Sequence, residues 1–277
     1  MSLLRLIARL DIKGRNVVKG ICFEGLRVVG DPAEMAQRYA EDGADEILYI
    51  DTVASLYGRN QLEALLEKTV ESVFVPVTVG GGIASVSDAR RLFNAGADKI
   101  AVNTAALKRP ALINEMAEHF GSQAVVVSIE AKRVNGTGSG WECYTDNGRN
   151  TSGIGVVSWA AEAVARGAGE LLVTSIDRDG TRRGFDTDLV AQIAPHVPVP
   201  VTASGGMGTL EHLKDVLVRG KADAVAVASA LHYGKVTFQE MRETALSLRQ
   251  HLVLGGAPGA GAKIEVDDRS PSRAQSA

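Results

Sequence analysis

Asp11 lies in RLDIK and Glu130 in SIEAK, two short stretches that match each other along the chain. Two opposed carboxyls in one pocket are a natural general acid–base pair, one giving a proton while the other takes one. Gly80–Gly82 and Gly205–Gly206 also correspond, and each loop is followed, after one further apolar run, by a short pair: Asn103–Thr104 and Ala228–Ser229. Glycine lets the backbone approach an anion, and the next helix N-terminus offers free N–H groups. A glycine loop with a hydroxyl beside it is a phosphate cradle. Two such cradles, with Gly82 in one and Gly206 in the other, imply a substrate with a phosphate at each end. Asp51, Asp177 and Asp179 are further acids, suited either to substrate contacts or to structuring their loops. Lys19, placed in the loop after the first apolar run, could close over an anionic ligand as a flexible cation. The five histidines (His119, His196, His212, His232, His251) form no ligand cluster, so no metal is expected. No Ser/His/Asp set, Walker A loop or GxGxxG after the first strand is present, so no cofactor is expected either.

Those residues must be positioned by the elements around them. Candidate strands run 6–12, 46–51, 75–80, 99–103, 124–130, 170–177, 199–204 and 223–229. Several are apolar on both parities, as in parallel strands covered on both faces. Amphipathic stretches lie between them, among them 31–43, 85–96 and 209–220, each starting near an Asp, Ser or Thr cap and ending at Gly. Eight strands alternating with helices predict an α/β fold, a closed (β/α)8 TIM barrel. An internal repeat strengthens this. VPVTVGGGIASVSDARRLFNAGADKIAVNTA (75–105) matches VPVTASGGMGTLEHLKDVLVRGKADAVAVASA (199–230), ADEILYID (44–51) matches AGELLVTSID (168–177), and ARLDIK (8–13) matches VSIEAK (127–132). The pieces keep their order with offsets of 119 to 126, so the barrel is two similar half-barrels. Asp11 and Glu130 then face each other across its mouth, where barrel enzymes build their sites.

The chain has 277 residues and a formal net charge of −3, which gives no electrostatic case for nucleic acid or a membrane surface. Cys22 and Cys143 lack metal-ligand spacing and read as two reduced thiols. No apolar run approaches the roughly 18 residues of a membrane span, and no signal peptide is visible, so a cytoplasmic protein is expected. The barrel is expected over 1–254. Residues 255–277 are Gly-, Ala- and Ser-rich and read as a disordered extension.

The chain resembles the cyclase subunit of imidazole glycerol phosphate synthase over about residues 1–251. The resemblance rests on LDIKGRNVVKG (10–20), FEGLR (23–27), GDP (30–32), VGGGI (79–83), GADK (96–99), NTAA (103–106), FGSQ (120–123), DRDGT (177–181), ASGG (203–206), ADA (222–224) and HYG (232–234). It implies a lyase of histidine biosynthesis that takes ammonia from a glutaminase partner. Ammonia adds to a bisphosphorylated ribulosyl-aminoimidazole substrate, which is cyclised and cleaved to imidazole glycerol phosphate and an aminoimidazole carboxamide ribotide. By resemblance Asp11 is the general acid/base. Gly82, Asn103 and Thr104 hold one phosphate, Gly180, Gly206, Ala228 and Ser229 hold the other, and Lys19 lies on a closing loop. Arg5, Glu46, Lys99 and Glu170 match an ammonia gate at the N-terminal barrel face, where the glutaminase docks. Three positions depart from the pattern: Glu130 stands where the family has Asp, Arg9 where it has Cys, and Ala84 where it has Arg. Arg9 shares the parity of Asp11, so it is expected to point into the barrel, to need Glu130 or Asp51 as partner, and to narrow an ammonia path. The departures leave open a paralogous glutaminase-coupled synthase acting on another sugar phosphate in surface-polysaccharide biosynthesis. An inactive scaffold that activates a glutaminase is a third reading, weakened by the retained Asp11 and cradles.

Overall fold

A computed structural model describes residues 4–54, 62–135 and 138–253. The extension expected over 255–277 lies outside the described residues. Eight parallel strands close on themselves in the order β1 (Arg5–Lys13), β4 (Glu46–Asp51), β5 (Val77–Gly80), β6 (Lys99–Val102), β7 (Val125–Arg133), β10 (Glu170–Ser175), β11 (Val201–Ser204) and β12 (Ala224–Val227). β12 returns to pair with β1, with Arg5 opposite Ala224 and Ile7 opposite Ala226. All eight expected strands are present, most of them a residue or more shorter than their apolar runs. Helices lie between them, so the strands carry a large apolar core on their outer faces, from Leu6, Leu10 and Tyr49 through Val127 to Val225. A smaller cluster, Ile7, Leu48, Ile50, Ala101, Val126, Leu172, Ala224 and Ala226, fills the barrel itself. Strands buried on both faces must be apolar on both parities, and this is why their alternation is weak.

The amphipathic stretches form helices where their caps allow. Asp31 accepts from the N–H groups of Ala33 and Glu34 at the start of Pro32–Glu41, and Ser85 accepts from Asp88 N at the start of Val86–Asn94. Leu210–Val218 begins with Thr209 and His212 in a reciprocal cap. Gly43 and Gly96 follow the first two helices in the left-handed region, as expected. After the third, Lys221 takes the left-handed conformation at φ +61 and Gly220 does not.

Four strands were not anticipated. β2 (Asn16–Ile21) and β3 (Glu24–Gly30) form an antiparallel hairpin on β1, and β8 (Trp141–Thr145) with β9 (Asn150–Gly155) does the same on β7. β1 and β7 are the repeat-related strands that carry the two carboxyls, so the hairpins extend the two-fold plan over the mouth. They escape the hydrophobic pattern because β3 and β9 are largely solvent-facing. The first hairpin turns on Cys22 and Phe23, both at positive φ, without the Asn-Gly signal that marks such turns. The hairpins meet, and a Cβ on Gly148 would stand 2.8 Å from Phe23 Cδ2.

Candidate active site

β1 and β7 are fourth neighbours in a ring of eight, so Asp11 and Glu130, each near the C-terminal end of its strand, lie on opposite sides of the mouth. Both are buried, yet their surroundings differ. Asp11 Oδ1 accepts from Arg9 Nε at 2.8 Å, and Oδ2 accepts from Lys19 Nζ at 2.7 Å. Burial alone would raise this carboxyl, but the guanidinium and the ammonium outweigh it and hold Asp11 well below the usual carboxylate range. Glu130 has no such contact. It accepts one backbone N–H, from Gly148 at 2.8 Å, and burial pushes it up to about 7 despite the more distant pull of Arg9. Two carboxyls driven apart in this way differ in protonation, with Asp11 ionised and Glu130 alone titrating near neutrality.

Lys19 is not on a flexible loop. It sits in β2, 4% exposed, with Nζ donating to Asp11 and to both oxygens of Asp179 at 2.8 and 2.9 Å. The hairpin ladder fixes the side chain that the sequence left to a loop. Arg9 does point into the barrel, but its partner is neither Glu130 nor Asp51. A residue two ahead on the same strand face is nearer than one across the barrel, so the guanidinium takes Asp11, with Nη1 donating to Thr174 Oγ1 at 2.9 Å and Ser204 Oγ at 3.1 Å. Asp51 structures its own loop, and Asp177 ties its loop to the end of β7. Asp51 Oδ1 accepts from the N–H groups of Val53 and Ala54, and Asp177 accepts from Arg133 N.

A cavity of about 240 Å³ opens between β4 and β7, lined by Asp51, Gly82, Asn103, Thr104, Lys108 and Glu130. Its counterpart, lined by Gly180, Gly206, Ala228 and Ser229, leaves room for only about 10 Å³, because Arg9, Lys19 and Asp179 line it as well. The two share their backbone plan. Asn103 (φ −130, ψ −86) and Ala228 (φ −122, ψ −83) make the same turn at matching strand ends. Gly206, at φ +106, could not be replaced without collision, since a Cβ there would lie 2.1 Å from Gly184 O.

The opposite end of the barrel is closed by charge. Arg5 donates to Glu46 at 3.0 Å and to Glu170 at 2.8 Å, and Lys99 donates to the same two acids at 2.8 and 3.0 Å. Thr78 and Thr202 complete the ring, each donating to a glutamate at 2.6 Å. The ring therefore alternates in sign and satisfies itself.

The profile of a family described as histidine biosynthesis protein matches residues 5–237. The chain belongs to that family. It is also 60% identical over 212 residues to the imidazole glycerol phosphate synthase subunit HisF of Legionella pneumophila, covering 76% of this chain and 99% of that one. The closed (β/α)8 barrel agrees with membership of the histidine biosynthesis family.

Family membership gives these side chains a context, and geometry adds four groups that sequence reasoning missed. Thr78 and Thr202 could have been found, because both end a VPVT copy of the internal repeat. Lys108 lines the first cavity one helical turn beyond Thr104, but nothing in its surroundings marks it out. The Gly148 N–H reaches Glu130 through a hairpin that had not been assigned, although Asn147-Gly148 is itself a turn signal. No helix among the described residues is long and apolar enough to cross a membrane.

Proposed function

We propose that this chain is the ammonia-using cyclase of imidazole glycerol phosphate synthesis, a lyase of histidine biosynthesis. The observation that carries the reading is a pair of unlike buried carboxyls set between two matching glycine cradles, in a chain 60% identical to a protein named as that synthase subunit. The substrate spans the mouth. One phosphate rests on Gly82, Asn103 and Thr104, and the other on Gly180, Gly206, Ala228 and Ser229. Ammonia adds to the substrate's ribulosyl carbon, and ring closure and cleavage follow. Asp11, held ionised, accepts protons, and Glu130, still partly protonated near pH 7, donates them. Lys19 and Asp179 close the second cradle from above.

Ammonia comes from a glutaminase partner that docks on the N-terminal face, and the ring of Arg5, Glu46, Lys99 and Glu170 is its gate. A ring whose charges satisfy one another is a closed door that a partner can open by competing for one member.

The test is complementation of a histidine auxotroph lacking the cyclase, paired with turnover by the purified chain under excess ammonium. Growth and turnover are expected, and Asp11→Asn should abolish turnover while substrate affinity stays nearly intact. Soluble protein that supports neither would refute the assignment and favour another sugar phosphate.

A further inference from the structure

The two carboxyl-bearing strands are copies of each other, and they differ sharply at one inward position. The offset of 119 that sets Asp11 on Glu130 also sets Arg9 on Ser128. The register is equally matched, with Arg9 opposite Leu48 and Ser128 opposite Leu172, repeat-related leucines. On the first strand the position holds a guanidinium, 3% exposed and fixed from three strands by Asp11, Thr174 and Ser204. On the second it holds a hydroxyl that brings no charge to Glu130.

We propose that Arg9 is the positioning residue that divides labour between the two carboxyls: it binds Asp11 as a carboxylate and leaves Glu130 to carry the proton. The proposal rests on the reading above, in which both carboxyls serve the substrate.

Charge balance explains why Lys19 is not enough. Lys19 is shared between Asp11 and Asp179, one ammonium against two carboxylates. Arg9 brings that buried cluster to neutrality, and a buried carboxylate left without its cation is strongly disfavoured. Asp11 is faced by Arg9 on its own strand, Lys19 on β2, Asp179 in the loop after β10, Glu130 across the mouth and the more distant His232 at the end of helix Ser229–His232. Glu130 is faced by Arg9, Asp11, the Asn103 amide and the Gly148 N–H, and it shares its cavity with Asp51 and Lys108. Arg9 touches Asp11 directly and reaches Glu130 only through space, so its loss must raise Asp11 more than Glu130.

The experiment is a carboxyl-carbon NMR titration of the full chain, without substrate, in three forms: wild type, Arg9→Ser, and the transposed Arg9→Ser/Ser128→Arg. In the wild type, Asp11 is expected to stay ionised to the acid limit of folding, and Glu130 to titrate near 7. In Arg9→Ser the gap between them should shrink by about tenfold in proton affinity or more. In the transposed form Glu130 should fall by a similar factor. The profile of kcat/KM, expressed per free ammonia, should lose activity above neutrality in the wild type, and this limb should move with Glu130 in each variant. A merely structural arginine would lower the profile without moving it. Should Arg9→Ser not fold, Arg9→Gln keeps a donor of similar length toward Asp11 without the charge, and Asp11 should rise there too. Unmoved midpoints, or equal movement of both carboxyls, would overturn the proposal. Because the titration needs no turnover, a wrong substrate assignment would leave its result standing and would show only in the kinetics.

Discussion

Replacing Glu130 with glutamine should make the protein more stable at alkaline pH. Glu130 is a buried carboxyl pushed from an ordinary 4.5 up to about 7, chiefly by desolvation. The fold therefore binds its proton more tightly than the unfolded chain does. Such a group adds its full stability below about pH 4.5, loses it as pH rises toward 7, and is a constant burden beyond. At about 1.4 kcal/mol per tenfold in proton affinity, the span from 4.5 to about 7 is worth roughly 3 kcal/mol. Glutamine keeps the shape and an acceptor for Gly148 N, and it does not ionise. The stability of wild type minus that of Glu130→Gln should thus fall by roughly 3 kcal/mol between pH 4.5 and pH 8, as read by urea unfolding. At pH 8 the variant should melt some 6–12 °C higher, at about 2–4 °C per kcal/mol for a chain of this size. A difference that stays flat with pH, or one in which wild type gains as pH rises, would show that Glu130 is not held neutral by burial.

Lys19→Met should cost roughly 3–5 kcal/mol in chemical denaturation, because it leaves Asp179 buried without its ammonium and Asp11 with Arg9 alone. Gly206→Ala should cost about 1–3 kcal/mol in backbone strain alone, since φ is +106 and the new Cβ meets Gly184 O at 2.1 Å. Calorimetry should show weaker phosphate binding at the second cradle in that variant. Lys99→Met should lower stability by about 1–3 kcal/mol, less than a full break, because Arg5 still bridges Glu46 and Glu170. With a glutaminase bound, it should change glutamine-driven turnover more than turnover with free ammonium.

The barrel was legible because its eight strands obey one rule, burial on both faces, and because three repeated pieces keep their order. The hairpins were not legible, since solvent-facing strands carry little hydrophobic pattern and the Cys22-Phe23 turn uses residues that rarely take positive φ. That gap misplaced Lys19, whose role depends on strand pairing and not on its neighbours in sequence. Asp11, Glu130 and the glycine loops were visible because chemistry and repetition pointed to the same positions. The partner of Arg9 was not legible because Glu130 and Asp51, on other strands, offered the same charge, whereas Asp11 is two residues away on the same face. Thr78 and Thr202 show the opposite case, a signal present in plain repeat and left unused.

The charged ring at the base also bears on how the molecule assembles. Strands β1, β4, β5 and β6 bring Arg5, Glu46 and Lys99 to that rim, and the other four strands bring Glu170. Each half alone carries an unbalanced rim, one with a surplus cation and the other with a lone acid. Only joining the halves at the β6–β7 and β12–β1 seams cancels both. The ring is thus a latch: it rewards correct closure of two lobes and withholds that reward from a half-barrel that folds, or pairs, without its complement.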